Sequence, residues 1–232
     1  MYLIIDEKMR KIEKDTLKKM GYKLIEIKKN NKVYEEISSH VDIFVCKIGE
    51  KIIVEKSQFN NIRSIFNVEQ GYEEIEEKYP YDIKYNVCII GKKAIHNLKY
   101  TDSKIIEELK KQKYELINTT QGYTNCSIAV IDDNSAIVTD KGLNKILQKH
   151  NINTLYIEDE LDIKLINKAQ YSDKKGFIGG CMARIGENII IFGDLNKIDS
   201  KHKIKDFIYN RNLKIIEFKN LDVIDYGGIV EL

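Results

Sequence analysis

The hydrophobic and polar positions of this chain repeat in blocks, and each block predicts a β-hairpin. Residues 48–54, 90–95 and 185–191 share an apolar run, a Gly with polar neighbours and a second apolar run. Gly and polar residues between short apolar runs are typical of a tight hairpin turn. A fourth copy, residues 128–138, has Asp-Asp-Asn at the turn, where Asn tolerates the left-handed backbone almost as Gly does.

A helix and a short third strand are predicted after each hairpin. Apolar residues spaced three and four apart give one buried stripe along each helix. The predicted helices are residues 61–66, 104–112, 143–150 and 203–209. The predicted closing strands are residues 114–117, 155–157 and 213–218.

The two ends of the chain together supply a fifth block. Residues 2–5 predict a second hairpin strand, 9–20 a helix and 23–27 a closing strand, whereas the missing first strand is predicted at 225–232. We therefore expect one α/β domain over residues 1–232, built as a five-fold pseudo-symmetric α/β propeller of ββαβ repeats. The last strand would pair with the first and close the ring, which hides edge strands that otherwise invite aggregation.

Composition and charge exclude several classes of protein. The 232 residues are 43% hydrophobic and 32% charged, which suits a packed core and excludes a disordered chain. The formal charge of +2 gives no strong field toward nucleic acid or an anionic membrane. No apolar run approaches the roughly 18 residues of a membrane span. The first residues lack the layout of a signal peptide, and we expect a cytoplasmic protein.

The four cysteines, Cys46, Cys88, Cys126 and Cys181, lie far apart and form no CxxC pair. We therefore expect no zinc site, no disulfide in a reducing compartment and no cofactor. Each cysteine is predicted on a first hairpin strand, and a buried, inert thiol is the ordinary interpretation of each.

Side chains near the starts of the first strands are predicted to converge at the axis of the ring. This places residues that are distant in sequence around one candidate site. Its members would be His40, Asp42, Asn86, Asn125, Cys126, Gly179, Gly180, Asp225 and Tyr226.

Two of these segments resemble a known enzyme group. Residues 39–46, Ser-His-Val-Asp-Ile-Phe-Val-Cys, are similar to the catalytic-histidine segment of the guanidino-modifying (pentein) superfamily, which includes arginine deiminases and dimethylarginine dimethylaminohydrolases. Residues 122–127, Gly-Tyr-Thr-Asn-Cys-Ser, resemble the segment of the hydrolases that carries their nucleophilic cysteine. Residues 85–88 resemble the repeat that lies between the histidine and cysteine segments in those enzymes. The resemblance covers essentially the whole chain, with a circular shift of its start.

The resemblance implies nucleophilic chemistry on a small guanidino or amidine substrate. Cys126 would attack the central carbon, and His40 would protonate the departing amine and then activate water. A neighbouring imidazolium would make the thiolate the resting form of Cys126. Asp42, two residues after His40 and on the same face of an extended strand, would bind the substrate. The alternatives are that Cys126 is an inert core thiol, that His40 is a strand-entry residue hydrogen-bonded to the backbone, and that Asp42 is a solvated aspartate.

Part of the acidic substrate-binding set of the family is missing. Gly179 and Gly180 stand where the hydrolases have an acidic pair, and an acid-Gly-Gly-acid segment reads Tyr-Gly-Gly-Ile at 226–229. Asp225 is the candidate replacement. The glycine pair would leave room for a ligand to approach backbone amides. Gly-Cys-Met at 180–182 makes Cys181 a rival nucleophile.

A non-catalytic binding protein is the second class of function. The ribosome anti-association factor of archaea and eukaryotes has the fold that the resemblance implies. Lys-rich helices are balanced here by glutamates at residues 73–77, so a nucleic-acid partner is not favoured. We expect surface or packing roles for His96, His150 and His202.

Overall fold

The computed structural model describes residues 1–166 and 174–232. The strands in this part of the chain are β1 (Tyr2–Asp6), β2 (Lys23–Ile27), β3 (Val45–Ile48), β4 (Lys51–Val54), β5 (Glu69–Gln70), β6 (Cys88–Ile90), β7 (Lys93–His96), β8 (Glu115–Asn118), β9 (Ile128–Asp132), β10 (Ser135–Val138), β11 (Asn153–Tyr156), β12 (Met182–Ile185), β13 (Asn188–Ile191), β14 (Lys214–Ile216) and β15 (Val230–Glu231). The α-helices are α1 (Lys11–Lys19), α2 (Val41–Phe44), α3 (Lys56–Arg63), α4 (Ser103–Lys111), α5 (Thr124–Ser127), α6 (Lys141–Lys149) and α7 (Lys201–Tyr209). Short 3-10 segments lie at Glu35–Ile37 and Leu195–Lys197.

The strands of the described residues form five three-stranded sheets of one design. In four of them an antiparallel hairpin is followed by a helix and by a third strand parallel to the second, which confirms the predicted ββαβ order. A parallel third strand requires a crossover, and the helix supplies it. No helix in the described ranges is long and apolar enough to cross a membrane.

The fifth sheet joins the two ends of the chain. Strand β15 is antiparallel to β1, with Leu3 opposite Glu231 and Ile4 opposite Val230, as predicted. The predicted strand over 225–232 is too long, however. Gly227 and Gly228 have φ of +67° and +72°, which breaks the extended backbone and leaves a two-residue strand. The circular five-fold arrangement stays a prediction.

Turn chemistry differs between the hairpins. Gly49, Gly91 and Gly186 have φ of +56°, +55° and +57°, as the sequence pattern requires. In the fourth hairpin Asn134 does not adopt positive φ; instead Asp132 Oδ1 accepts its backbone N–H at 2.8 Å, and the register shifts after Ser135. The side chain of Asp132 and a bulge thus form this turn, which was predicted to depend on a left-handed Asn.

The helices bury the predicted apolar stripe. Residues four apart are buried in α4, α6 and α7: Ile105 and Leu109, Leu143 and Leu147, Ile204 and Ile208. The helix predicted at 61–66 instead spans Lys56–Arg63, because the side chain of Glu55 accepts the backbone N–H of Ser57 and caps it earlier. Each of these helices therefore buries one apolar face in the protein core.

Candidate functional site

Two one-turn helices present the predicted catalytic pair. Helix α2 precedes β3, with His40 at its N-cap, and α5 precedes β9 and contains Cys126. Both segments were predicted as strand, and both predictions were wrong. In a helical turn Asp42 does not share a strand face with His40, and the two side chains have different partners. Cys126 and Cys181 both precede their strands, whereas Cys46 and Cys88 lie within theirs.

Cys126 contacts the carboxyl group of Asp42. Its Sγ lies 2.7 Å from Oδ2 of Asp42 and accepts the Asn86 side-chain amide at 3.2 Å. Asn86 Oδ1 accepts the backbone N–H of Asn125 at 2.8 Å, which ties the start of α5 to the preceding repeat. The side chain of Asn125 also lowers the pKa of Asp42. The structure thus brings together four predicted residues from three repeats.

His40 lies beside Asp225. Its Nδ1 is 3.7 Å from Oδ1 of Asp225, and the carboxylate accepts the backbone N–H of Phe177 at 2.8 Å and of Gly227 at 2.9 Å. Asp225 therefore brings a second carboxylate to the site from the last segment of the chain. Its neighbour Tyr226 donates to Glu13 at 2.8 Å, in a separate buried contact.

Gly179 and Gly180 pack the backbone of the site. Their amides both donate to the carbonyl of Cys126, at 2.6 and 3.1 Å. A Cβ on Gly179 would lie 2.2 Å from the Asn125 carbonyl, and one on Gly180 would lie 1.8 Å from Oδ1 of Asp225. The room predicted for a ligand beside these amides is therefore filled by protein. The glycines are required for close approach of the chain.

One cavity of about 260 Å³ adjoins the reactive groups. Its wall consists of Tyr34, Ile37, His40, Tyr123, Cys126, Leu165, Lys174, Lys175, Phe177 and Asp225. The rival nucleophile is not among these residues: Cys181 Sγ lies 3.3 Å from the carbonyl of Ile178 in an apolar cluster. Cys126 is thus the cysteine that lines this cavity in the described part of the chain.

Burial controls the ionisation of the two carboxyl groups. Desolvation, followed by the charge of Asp225, raises the pKa of Asp42 to about 8. Desolvation also raises the pKa of Asp225 to about 6, against the backbone N–H groups that lower it. Both carboxyl groups are at most 2% exposed. A cation placed between them would lower both pKa values.

The same burial reverses the predicted state of the catalytic pair. Desolvation lowers the pKa of His40 to about 4, although the charge of Asp6 opposes this. Desolvation, with the nearby charges of Asp42 and Asp225, raises the pKa of the Cys126 thiol well above its usual range. The expected imidazolium–thiolate pair is therefore replaced by a neutral imidazole and a protonated thiol. A neutral imidazole does not supply the positive charge that stabilises a thiolate.

Sequence reasoning missed several residues at the site, among them Tyr123, Tyr34 and Asp6. Tyr123 occupies the N-cap of α5, and Tyr34 lies in the loop before the first 3-10 segment. Their hydroxyls are hydrogen-bonded to each other, and Tyr123 also donates to the buried Asp82. Asp6 ends β1 and accepts the hydroxyl of Ser39 at 2.6 Å. The signal for Tyr123 was its place three residues before the cysteine, whereas Tyr34 lies outside every repeat element.

The remaining histidines have the packing and surface roles that were predicted. His96 is buried, with Nδ1 2.6 Å from the hydroxyl of Thr101, and His150 lies 2.6 Å from Glu115. His202 is on the exposed face of α7. Among residues 1–166 and 174–232, no group of three His, Cys, Asp or Glu side chains could hold a metal ion.

Comparison with solved structures identifies the fold. Dimethylarginine dimethylaminohydrolase from Pseudomonas aeruginosa, a cysteine-to-serine mutant complexed with citrulline, matches with a TM-score of 0.56 at 10% identity, over 96% of this chain and 92% of that chain. A second structure of that enzyme, an adduct with S-methyl-L-thiocitrulline, matches over the same shares with the same TM-score and identity. C. jejuni agmatine deiminase gives 0.51 at 11% identity, over 95% and 76% of the two chains. The chain therefore has the predicted pentein fold.

The family follows from the sequence. Residues 4–230 match the model of a family of unknown function, DUF6873, and the chain belongs to that family. No curated protein sequence matches it.

Proposed function

We propose that this protein is a cysteine-nucleophile hydrolase or transferase that cleaves a C–N bond of a guanidino or amidine compound. The observation that carries the proposal is one cavity lined by Cys126, His40 and Asp225, with Asp42 2.7 Å from the sulfur. The similarly folded structures are named as a dimethylaminohydrolase and a deiminase, which supports the same reaction class. We also propose that the five sheets form a closed ring in one domain, with this cavity at its axis.

A cationic substrate fits the charge of the site. Asp42 and Asp225 are two buried carboxyl groups, and desolvation followed by the charge of Asp225 raises the pKa of Asp42. An amidinium or guanidinium between them offsets that charge and gains charge-assisted hydrogen bonds. Asp225 supplies the carboxylate that the sequence pattern lacked in its expected place.

Substrate binding activates the thiol in this proposal. The bound cation offsets the negative charges that keep Cys126 protonated, and Asp42 accepts the thiol proton over 2.7 Å. Sγ then bonds to the amidine carbon. The C–N bond to the departing amine breaks, and the amine takes the proton from Asp42. The product of this step is a covalent S-amidine adduct and a free amine.

His40 acts in the second half of the reaction. Its depressed pKa keeps the imidazole neutral, which is the form that accepts a proton from water. The hydroxide adds to the adduct carbon, the C–S bond breaks, and the thiolate regains a proton. The amidine becomes an amide, or a guanidine becomes a urea, with one water consumed. An amine in place of water would give the transferase reaction.

A binding protein without catalysis is the alternative, and the protonated resting thiol favours it. The two proposals differ in how the thiol responds to charge. We would label the protein with 2-chloroacetamidine, a cation, and with neutral iodoacetamide, and locate the adducts by mass spectrometry. The proposal expects the cation to modify Cys126 faster, while the buried Cys46, Cys88 and Cys181 remain unmodified as internal controls.

Charge variants complete the experiment. Asp225→Asn is expected to remove the preference of Cys126 for the cationic reagent. Asp222→Asn is the matched control, because it makes the same change three residues away at an exposed carboxylate that pairs with Lys197. In this variant Cys126 is expected to keep its preference for the cationic reagent. If Cys126 reacts with neither reagent in the folded protein, the hydrolase proposal fails and the binding protein stands.

A further inference from the structure

We infer that the non-reacting part of the substrate is a compact apolar or aromatic group and not an amino-acid head group. The inference rests on the proposed function, because it assumes that the amidinium lies at Cys126 and Asp225. It concerns the rest of the cavity, which determines what the cation is attached to.

The wall of the cavity beyond the reactive groups is mainly aromatic and aliphatic. Five of its residues are aromatic or aliphatic, Tyr34, Ile37, Tyr123, Leu165 and Phe177, and the other two are Lys174 and Lys175. The rings of Tyr123 and Phe177 are stacked, with centroids 6.2 Å apart and planes inclined by 28°. Such a wall favours a ligand with an apolar or planar group, because burying that group's surface from water stabilises the complex.

The tyrosine hydroxyls of the wall are already hydrogen-bonded within the protein. The hydroxyls of Tyr34 and Tyr123 are hydrogen-bonded to each other, and Tyr123 donates to Asp82. Their rings, not their hydroxyls, are therefore what the cavity offers a ligand.

An amino-acid head group would need charged partners of both signs. Among the described residues of the wall, the cations are Lys174 and Lys175, and the carboxylate, Asp225, lies at the reactive end. Lys175 is ion-paired with Glu160 at 3.0 Å, and Lys174 already has a partner of its own. An α-carboxylate at this end would therefore compete with Glu160 for Lys175, and burial of a carboxylate or ammonium without a partner is costly.

The size of the cavity points the same way. About 260 Å³ is slightly below the roughly 300–1,000 Å³ that ligand sites typically span. A single ring or a short alkyl group next to the amidinium suits such a space. Phe177 connects the two parts of the site, because its backbone N–H holds Asp225 while its ring forms the wall.

The test measures binding without turnover, in the Cys126→Ser variant. Calorimetry would compare benzamidine with acetamidine, L-arginine and 4-amidinobenzoate. Benzamidine is expected to bind about tenfold more tightly than acetamidine or L-arginine. Phe177→Ala in the same background should lower benzamidine affinity about tenfold and leave acetamidine affinity unchanged. Tyr209→Ala, at an exposed tyrosine on α7, should change neither.

Two results would overturn the inference while the proposed function stands. In one, L-arginine binds as tightly as benzamidine. In the other, 4-amidinobenzoate binds more tightly than benzamidine, which would place a carboxylate site at the lysines. If no amidine binds to a Cys126→Ser variant with a normal unfolding transition, both the inference and the proposed function fail.

Discussion

Asp42→Asn should stabilise the protein while it impairs the site. The carboxyl group of Asp42 is 2% exposed, and burial raises its pKa from 3.8 to about 8. The folded protein therefore holds this proton more tightly than the unfolded chain does. As the pH rises from about 4 to about 8, the contribution of Asp42 to the free energy of unfolding falls. Asn is nearly isosteric and does not titrate.

The magnitude follows from the shift. One pH unit corresponds to about 1.4 kcal/mol for one proton. The free energy of unfolding of Asp42→Asn, minus that of the wild type, should thus grow by about 4 kcal/mol between pH 5 and pH 8 and level off above that. The variant also loses the contact between Cys126 and Asp42. That loss lowers the free energy of unfolding of the variant by a similar amount at every pH, so the change of the difference with pH stays the same.

Urea unfolding followed by circular dichroism measures this difference, since the chain has no Trp. Asp222→Asn is the matched control, because Lys197 lowers the pKa of that exposed carboxyl group. Its difference from the wild type should stay constant over the same range. A difference for Asp42→Asn that does not change with pH would refute the reasoning. Loss of turnover in the stabilised variant would show that the raised pKa serves the reaction.

Three further predictions concern other buried residues. His40→Asn removes a buried imidazole whose pKa is lowered to about 4, so the wild type should lose about 3 kcal/mol relative to the variant as the pH falls from 6.5 to 4, measured by urea unfolding. Gly180→Ala places a Cβ 1.8 Å from Oδ1 of Asp225 and should destabilise the protein by about 2 kcal/mol or more in the same assay. Tyr226→Phe removes the 2.8 Å hydrogen bond to buried Glu13 and should lower the free energy of unfolding by about 1–2 kcal/mol in thermal unfolding.

The same chemical changes elsewhere in the chain are the controls. His202→Asn and Tyr209→Phe alter exposed side chains on α7 and should have no measurable effect. Gly142→Ala lies within α6, where Ala is the better helix former, and its Cβ would lie 3.1 Å from Oδ1 of Asp140, so it should cost much less than Gly180→Ala. Equal effects at site and control positions would contradict the roles assigned to His40, Gly180 and Tyr226.

The repeat could be predicted because its signals are local. Hairpins with Gly49, Gly91 and Gly186 depend on turn chemistry, and the helices depend on apolar spacing, so neighbouring residues contain the information. The helix at Lys56–Arg63 was misplaced because a side-chain cap from Glu55 sets its start. The boundaries of an element depend on such individual contacts more than its existence does.

The sequence by itself determined the order of the elements, the class of fold and the reactive side chains of the site, but not the aromatic residues that line it. Tertiary structure decided which of them meet. One-turn helices before β3 and β9 direct Asp42, and not His40, to the sulfur of Cys126, and the last segment brings Asp225 to His40. Burial then decides their charge, because the pKa of a carboxyl, imidazole or thiol group depends on desolvation and on neighbours that are distant in sequence.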